Sequence, residues 1–517
     1  MPCVYRIFER GSRNKMLVVL LATALAVALG FPAATADSPG DAKRVAFETV
    51  DRNAEQIAIV GDVLYYFGEP GMQEYESSKY LKQTLEDIGF KVELGGAGMP
   101  TNVWATWGSG KPYIVIATDF DALPEGSQTP GSIPRKPLVE GAPGHMEGHN
   151  VMAAVSVGAA HAVKKAMEQF KIPGTIAISF GPAEEQLMSR PYIVREGYFK
   201  DVDAAIITHI ADSSATGYGL QNYALIGAKF NFKGRTAHGG VNPWDGKDAV
   251  DAVVLMDIGF DKLREHLRPT YRGHRTITNG GIQPNIIPDS GQIWWFIRDA
   301  TGPWAKENFD KLVNIARGAA LMTDTTMEME PFGAAWPTLG NKAIAEAIQK
   351  NIETVGMPKW TDDEIKFAKE LQKSLGRKED GLPAKVTPLQ PGRQNSSSND
   401  IGDITWNVPT GTVRFPSGVP GVQAHHWTAG IAPTMSIAHK GAVVGAKVLA
   451  ASALDLLTSA ELRAAAKSQF DQDTKETKYF SLLPPGAKPP LDLNKEIMDK
   501  YRPAMRKFYL NKKAQFK

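Results

Sequence analysis

Between Tyr113 and Asn150 the chain passes from an apolar run, YIVIAT, into the acidic turn Asp119-Phe120-Asp121, then through a Gly/Pro-rich loop and the string GHMEGHN into a helix-forming stretch. The apolar run reads as a buried strand. His145, Glu147 and His149 follow at alternate positions. They gather imidazole and oxygen donors where strand and helix ends converge, and such clusters suit divalent metals.

Around this stretch strand-like runs alternate with helical ones: KVEL, NVWATW and YIVIAT, a helix over about 151–170, then GTIAISF and AAIITHI. The alternation predicts an α/β layer with a largely parallel sheet, in which chemistry sits beyond the carboxyl ends of the strands. Asp119 and Asp121 follow one strand, Glu184 and Glu185 follow GTIAISF, and His209 ends AAIITHI, so three strands deliver acids or imidazoles to one end of the sheet. Residues 41–90 read as helical in two runs, 46–67 and 73–90. From about residue 224 the order becomes β-α-β-β-α-β, that of a ferredoxin-like unit inserted as a separate domain. Helical patterns return after Trp336, and a polar stretch, 376–399, is either a surface loop near the site or a solvated connection. The core closes with an apolar helix over about 435–457, and the Pro- and Lys-rich tail beyond Ser459 is expected to drape over the surface.

The first 36 residues read as a signal peptide: a basic segment with Arg6, Arg10, Arg13 and Lys15, an apolar run from Met16 to Phe31, and Ala34-Thr35-Ala36 as cleavage site. Its removal takes away Cys3, the single cysteine of the 517 residues, and with it any disulfide or thiol nucleophile. It also changes the formal net charge from +2 to −1, since four basic residues and Glu9 leave. Near-neutral charge excludes an electrostatic case for nucleic acid or anionic membrane. No GxSxG elbow occurs, and WGSGKP lacks the leading glycine of a phosphate-binding loop at the required spacing, so serine hydrolase and nucleotidase chemistry find no support.

Taken in order, DFDALPEGS, GHMEGHN, GPAEEQ, THI, FKGRTAHGG, GGIQPNIIPD, NDIGDITW, AHHW and AHKGA resemble the dinuclear-zinc aminoacylase/carboxypeptidase superfamily, in its amidohydrolase branch. The resemblance spans roughly residues 48–457. It implies an α/β/α catalytic domain in two parts, 37–223 and 334–460, an inserted ferredoxin-like dimerisation domain at 224–333, and a tail at 461–517. It also implies a homodimer that cleaves small amides, p-aminobenzoyl-glutamate-like or N-acyl amino acid; the signal peptide adds a periplasmic or secreted location without a stable membrane anchor, and the near-neutral charge adds no nucleic acid partner. By the same resemblance Glu184 would be the general base. Glu147, His149, Glu185, His209 and His425 would hold two divalent metal ions, zinc with manganese as alternative, and Asp121 would orient a ligand. His238 would reach into the partner subunit's site, and Asn285 would contact the substrate near its carboxylate.

The chain departs from the branch at Glu147, where a cysteine is usual. A carboxylate can bridge two cations through its two oxygens, and an oxygen-richer set favours harder ions. His426, beside His425, could exchange roles with it, and a catalytically degenerate metal-binding or assembly subunit of the same fold is the competing reading.

Overall fold

The protein is described by a computed structural model over residues 39–517; the expected signal peptide lies outside the described residues. At the centre is a six-stranded sheet in the order Lys91–Leu94, Val103–Ser109, Gly174–Gly181, Tyr113–Asp119, Ala204–Ala211 and Thr410–Pro416. The last four strands pair in parallel, and Val103–Ser109 joins them antiparallel. Alternating side chains of the Tyr113–Asp119 strand serve two cores, as strand geometry requires. Ile114 and Ile116 pack beneath the helices Ala54–Phe67, His149–Phe170 and Ser436–Thr458. Val115 and Ala117 face the other way, towards Tyr192 and Ile193, in a core shared with a second sheet. The helix Ser436–Thr458 is long and apolar enough to cross a membrane, but 78% of its most apolar window is buried within the protein, so it is a core helix here.

The second sheet is four-stranded and antiparallel, in the order Thr326–Ala335, Ala224–Lys233, Ser290–Asp299 and Arg272–Asn279. Helices Ala249–Leu263 and Gly302–Met322 lie between its strands in sequence, completing βαββαβ. Along Ser290–Asp299 burial alternates, with Ile293, Trp295 and Ile297 inside, so one face is packed by its helices.

Two expectations need correction. The first of the two helical runs in 41–90 is itself two helices, Pro39–Arg52 and Ala54–Phe67, and the second is Tyr75–Asp87, reached through a loop at 68–74 that braces the site. The tail does not drape. It forms helices Ala460–Asp473 and Lys495–Met505 and buries Leu482, Leu483, Met498, Met505 and Ala514. The Pro and Lys content that suggested a loose strap hides apolar residues spaced to seat in grooves of the catalytic layer.

Candidate metal centre and active site

His149 is the first residue of its helix, and Gly148 before it adopts φ 69°. A side chain at position 148 would be strained in that conformation and would press Ile210, with a Cβ only 3.0 Å from Ile210 Cδ1. The glycine thus lets the loop 141–148 turn tightly enough to aim His149 across the strand ends. Its Nδ1–H donates to Asp121 Oδ1 (3.0 Å). The second Asp121 oxygen accepts the backbone N–H of Glu185 (3.1 Å). One carboxylate therefore fixes the ring of His149 and the turn that carries the paired glutamates.

That turn is a 3-10 segment, Glu184–Gln186, rather than a strand end, and it is bounded by Ala183 and Leu187, both at left-handed φ (55° and 58°). Two non-glycine residues in this region mark stored backbone strain, which surrounding contacts must hold. The turn, not strand alternation, separates the two acids. Glu184 Oε2 lies 3.8 Å from His149 Nε2, while Glu185 Oε2 lies 3.3 Å from His425 Nε2. Glu147 accepts a short hydrogen bond from His425 and stands 3.8 Å from His209 Nε2. His149 and His209 meet edge to face at 6.4 Å.

The donors fall into two neighbouring groups. Glu147, Glu185 and His425 offer atoms all within 4.8 Å of one another, and so do Asp119, His149 and Glu184. Asp119, however, is committed to a fully buried ion pair with Arg190, whose guanidinium also donates to the Thr118 carbonyl (2.6 Å) and Ser189 Oγ (2.8 Å). Asp400 accepts the backbone N–H groups of Ser189 and Arg190 (both 3.0 Å), which ties the end of the polar stretch to the same point.

Acids crowded away from water demand positive charge. Burial, reinforced by Asp119, pushes the Glu184 carboxyl well above the usual range. Glu185 is pushed up to about 8 by burial, with Glu147 and Asp121 adding to the rise. Burial would also raise Glu147, but the hydrogen bond from His425 and the nearby His149 and His209 hold it at about 2. The bond to Glu147 lifts His425 to about 9. Burial, helped by Arg414, pushes His209 down to about 4, which keeps it neutral and able to ligate. His149 Nε2 is buried without a hydrogen-bond partner and faces this acidic set. An orphaned imidazole nitrogen among convergent oxygens and two further imidazoles is what a divalent cation fits.

Not every sequence candidate is gathered here. His145 is turned away, donating from Nε2 to the Leu64 carbonyl (3.1 Å) and stacking near Tyr65. His426 engages Thr428 Oγ1 (2.8 Å), so it is His425 that stands in the cluster. His439 pairs with Asp62 (2.8 Å). His238 and Asn285 lie outside the cavity, side by side on an exposed tip of the second sheet's module, where Gly239 N–H donates to the Asn285 carbonyl (2.9 Å).

Glu147, Glu184, Glu185, His209 and His425 floor a cavity of about 450 Å³. Its walls include Arg414 from the sheet and Phe296 and Arg298 from the second sheet, none of them a candidate from the sequence, and Ser397, Ser398 and Asn399 from the polar stretch. That stretch is therefore a site loop and not a solvated connection. The bond from Arg298 Nη1 to Ser398 Oγ (2.7 Å) joins two of these walls.

Behind the site the 68–74 loop supports both turns that carry its acids. The Glu69 carbonyl accepts Ala122 N–H (2.8 Å), and Glu74 Oε1 accepts Ala183 N–H (2.8 Å). The tail grips that loop in turn: Arg502 pairs with Glu69 and donates from Nη2 to the Gln73 carbonyl (2.8 Å), and Gln73 donates to the Leu493 carbonyl (2.9 Å).

Residues 115–378 match the family described as Peptidase family M20/M25/M40. The chain is 30% identical over 470 residues to one of the two subunits of the p-aminobenzoyl-glutamate hydrolase of Escherichia coli K12, covering 86% of this chain and 97% of that protein. It is 27% identical over 337 residues to the Xaa-Arg dipeptidase of Mus musculus, covering 62% of this chain and 74% of that one. The solved structure of a dinuclear metal-binding peptidase from Bacillus subtilis superposes with a TM-score of 0.52 at 17% identity, covering 79% of this chain and 99% of that chain, which establishes likeness of fold.

Proposed function

The chain belongs to peptidase family M20/M25/M40 and is a metal-dependent amidohydrolase; from that premise we propose that it cleaves the amide joining an acyl or aromatic acyl group to an amino acid or short peptide. p-Aminobenzoyl-glutamate-like and N-acyl amino acid substrates are the class that its E. coli relative suggests. The observation that carries this reading is the convergence of Glu147, Glu185, His209 and His425 with the separate carboxylate of Glu184 on the floor of one cavity, with His149 buried against Glu184.

In this reading the five donors hold two divalent ions, zinc with manganese as the alternative that the oxygen-rich set allows. Such ions polarise a carbonyl and make water acidic. Glu184 accepts the proton of the attacking water and returns it to the leaving nitrogen. Its carboxylate, beside His149 on the cavity floor, is placed to carry that proton between the two steps. Asp121 keeps the Nδ1–H tautomer of His149, which leaves Nε2 free to ligate. The presence of Glu184 beside the donors counts against the alternative of a catalytically degenerate metal-binding or assembly subunit.

We further propose a homodimer in which His238 and Asn285 serve the partner's site. Support comes from their position outside their own cavity, on a tip where Val241, Trp244 and Ile282 are 66%, 77% and 92% exposed. Export to the periplasm or the medium is proposed from the basic, apolar and Ala-x-Ala order of the first 36 residues, and N-terminal sequencing of exported material should then begin at Asp37. The central test combines elemental analysis with hydrolysis of a panel of N-acyl amino acids and p-aminobenzoyl-glutamate. Two ions per chain and chelator-sensitive cleavage are expected. A protein holding both ions that cleaves no member of the panel would revive the degenerate-subunit reading.

A further inference from the structure

Arg414 sits on the last strand of the central sheet, in register with His209 on the neighbouring strand. Thr412 and Arg414, two residues apart, both line the cavity, while Val413 between them is in the core. The backbone of Arg414 is held by Ala215 through both its N–H (2.9 Å) and its carbonyl (3.0 Å). Its guanidinium, by contrast, has no hydrogen bond or ion pair to any of the described residues. The acid that it feels is Glu147, which stands beyond ion-pair distance and is already engaged by His425. Burial pushes the Arg414 pKa below the usual guanidinium range, and Glu147 offsets only part of that.

Arg414 is half-buried, and a planar fork of donors left open towards a cavity invites an anion of matching shape. The charge balance sharpens the point. Once cations neutralise Glu147 and Glu185, nothing near Arg414 offsets it, and the cavity wall beside His209 becomes net positive. A carboxylate meets the guanidinium in a bidentate fork, and the Thr412 hydroxyl on the same face adds a further donor.

We propose that Arg414 is a specificity-determining residue that takes a substrate carboxylate next to the scissile amide, so that the enzyme prefers amides of acidic or free-carboxylate amino acids over their neutral isosteres. This rests on the amidohydrolase reading above, and binding separates the two. Calorimetry with the metal-loaded protein would use L-glutamate, L-glutamine and L-isoglutamine, which differ only in which carboxylate is an amide. Kinetics would use the corresponding N-acetyl compounds.

The wild type should bind glutamate at least tenfold more tightly than one of the two amides, the discrimination expected of a charged hydrogen-bonded pair. In Arg414→Gln that preference should vanish while metal content stays at the wild-type level, and Arg414→Lys should restore part of it. In turnover the loss should appear in KM for the charged substrate, with kcat little changed. Equal weakening for glutamate and both amides, or an undiminished preference in Arg414→Gln, would overturn the proposal. Failure of the amidohydrolase reading looks different: no N-acetyl compound is cleaved, while the binding preference and its dependence on Arg414 remain measurable.

Discussion

Glu184 and Glu185 are identical residues at adjacent positions, and the strained turn between Ala183 and Leu187 gives them different surroundings. Glu184 faces Asp119 and His149; Glu185 faces Glu147 and His425. If that separation is a division of labour, Glu184→Gln keeps size and hydrogen-bonding reach but loses the basic oxygen. Its metal content should be unchanged and kcat should fall by at least about a hundredfold, the low end for a lost general base. Retained kcat, or lost metal, would make Glu184 a spectator or a ligand. Glu185 and His425 support a second expectation. With the metal removed, Glu185 titrates at about 8 and His425 at about 9, so near neutrality both carry protons that an incoming cation must expel. Raising the pH removes those protons, so metal affinity should climb between about pH 7 and 9 and level off above, by roughly tenfold per pH unit for each proton displaced. Titration of the metal-free protein with zinc at several pH values measures this. A flat profile would mean that neither group ligates.

At the scale of elements, the catalytic turns are held from behind, by the 68–74 loop, and that loop is held by the tail helix Lys495–Met505. Arg502→Met would strand the fully buried Glu69 carboxylate without its cationic partner, at a cost of about 3 kcal/mol. Chemical unfolding should register this, and kcat should fall as the turns at Ala122 and Ala183 loosen. Unfolding at the wild-type denaturant concentration would show that the tail carries no such load. This brace illustrates what the sequence could and could not disclose. The α/β layer and the βαββαβ module were legible because strands such as YIVIAT and GTIAISF, and the helices between them, write their periodicity locally. GHMEGHN and GPAEEQ were legible because their donors are sequence neighbours. Arg190 and Arg414 were not, since each gains its meaning from strands or loops distant in the chain: Arg414 stands beside His209 only through the register of two parallel strands. The tail misled because composition reports average polarity, whereas Leu482, Met498 and Met505 bury themselves one at a time.

For the whole molecule, the position of His238 makes a sharp test. The residue stands on an exposed tip outside its own cavity, so a dimer acting across subunits should show complementation: His238→Ala chains and Glu184→Gln chains, each inactive alone, should regain part of the activity once mixed dimers form. Mixed dimers without recovered activity would confine His238 to its own chain. The donor set has one more consequence at this scale. Glu147 brings oxygen where the amidohydrolase branch usually brings sulfur, and the single cysteine, Cys3, lies in the segment proposed to be cleaved. Peroxide and alkylating reagents act on cysteine through its thiolate, and the mature protein would present none, at the metal centre or elsewhere. Such an enzyme needs no thiol-reducing system to keep its metal ligands in service in an oxidising compartment, where a thiolate ligand would be open to progressive oxidation.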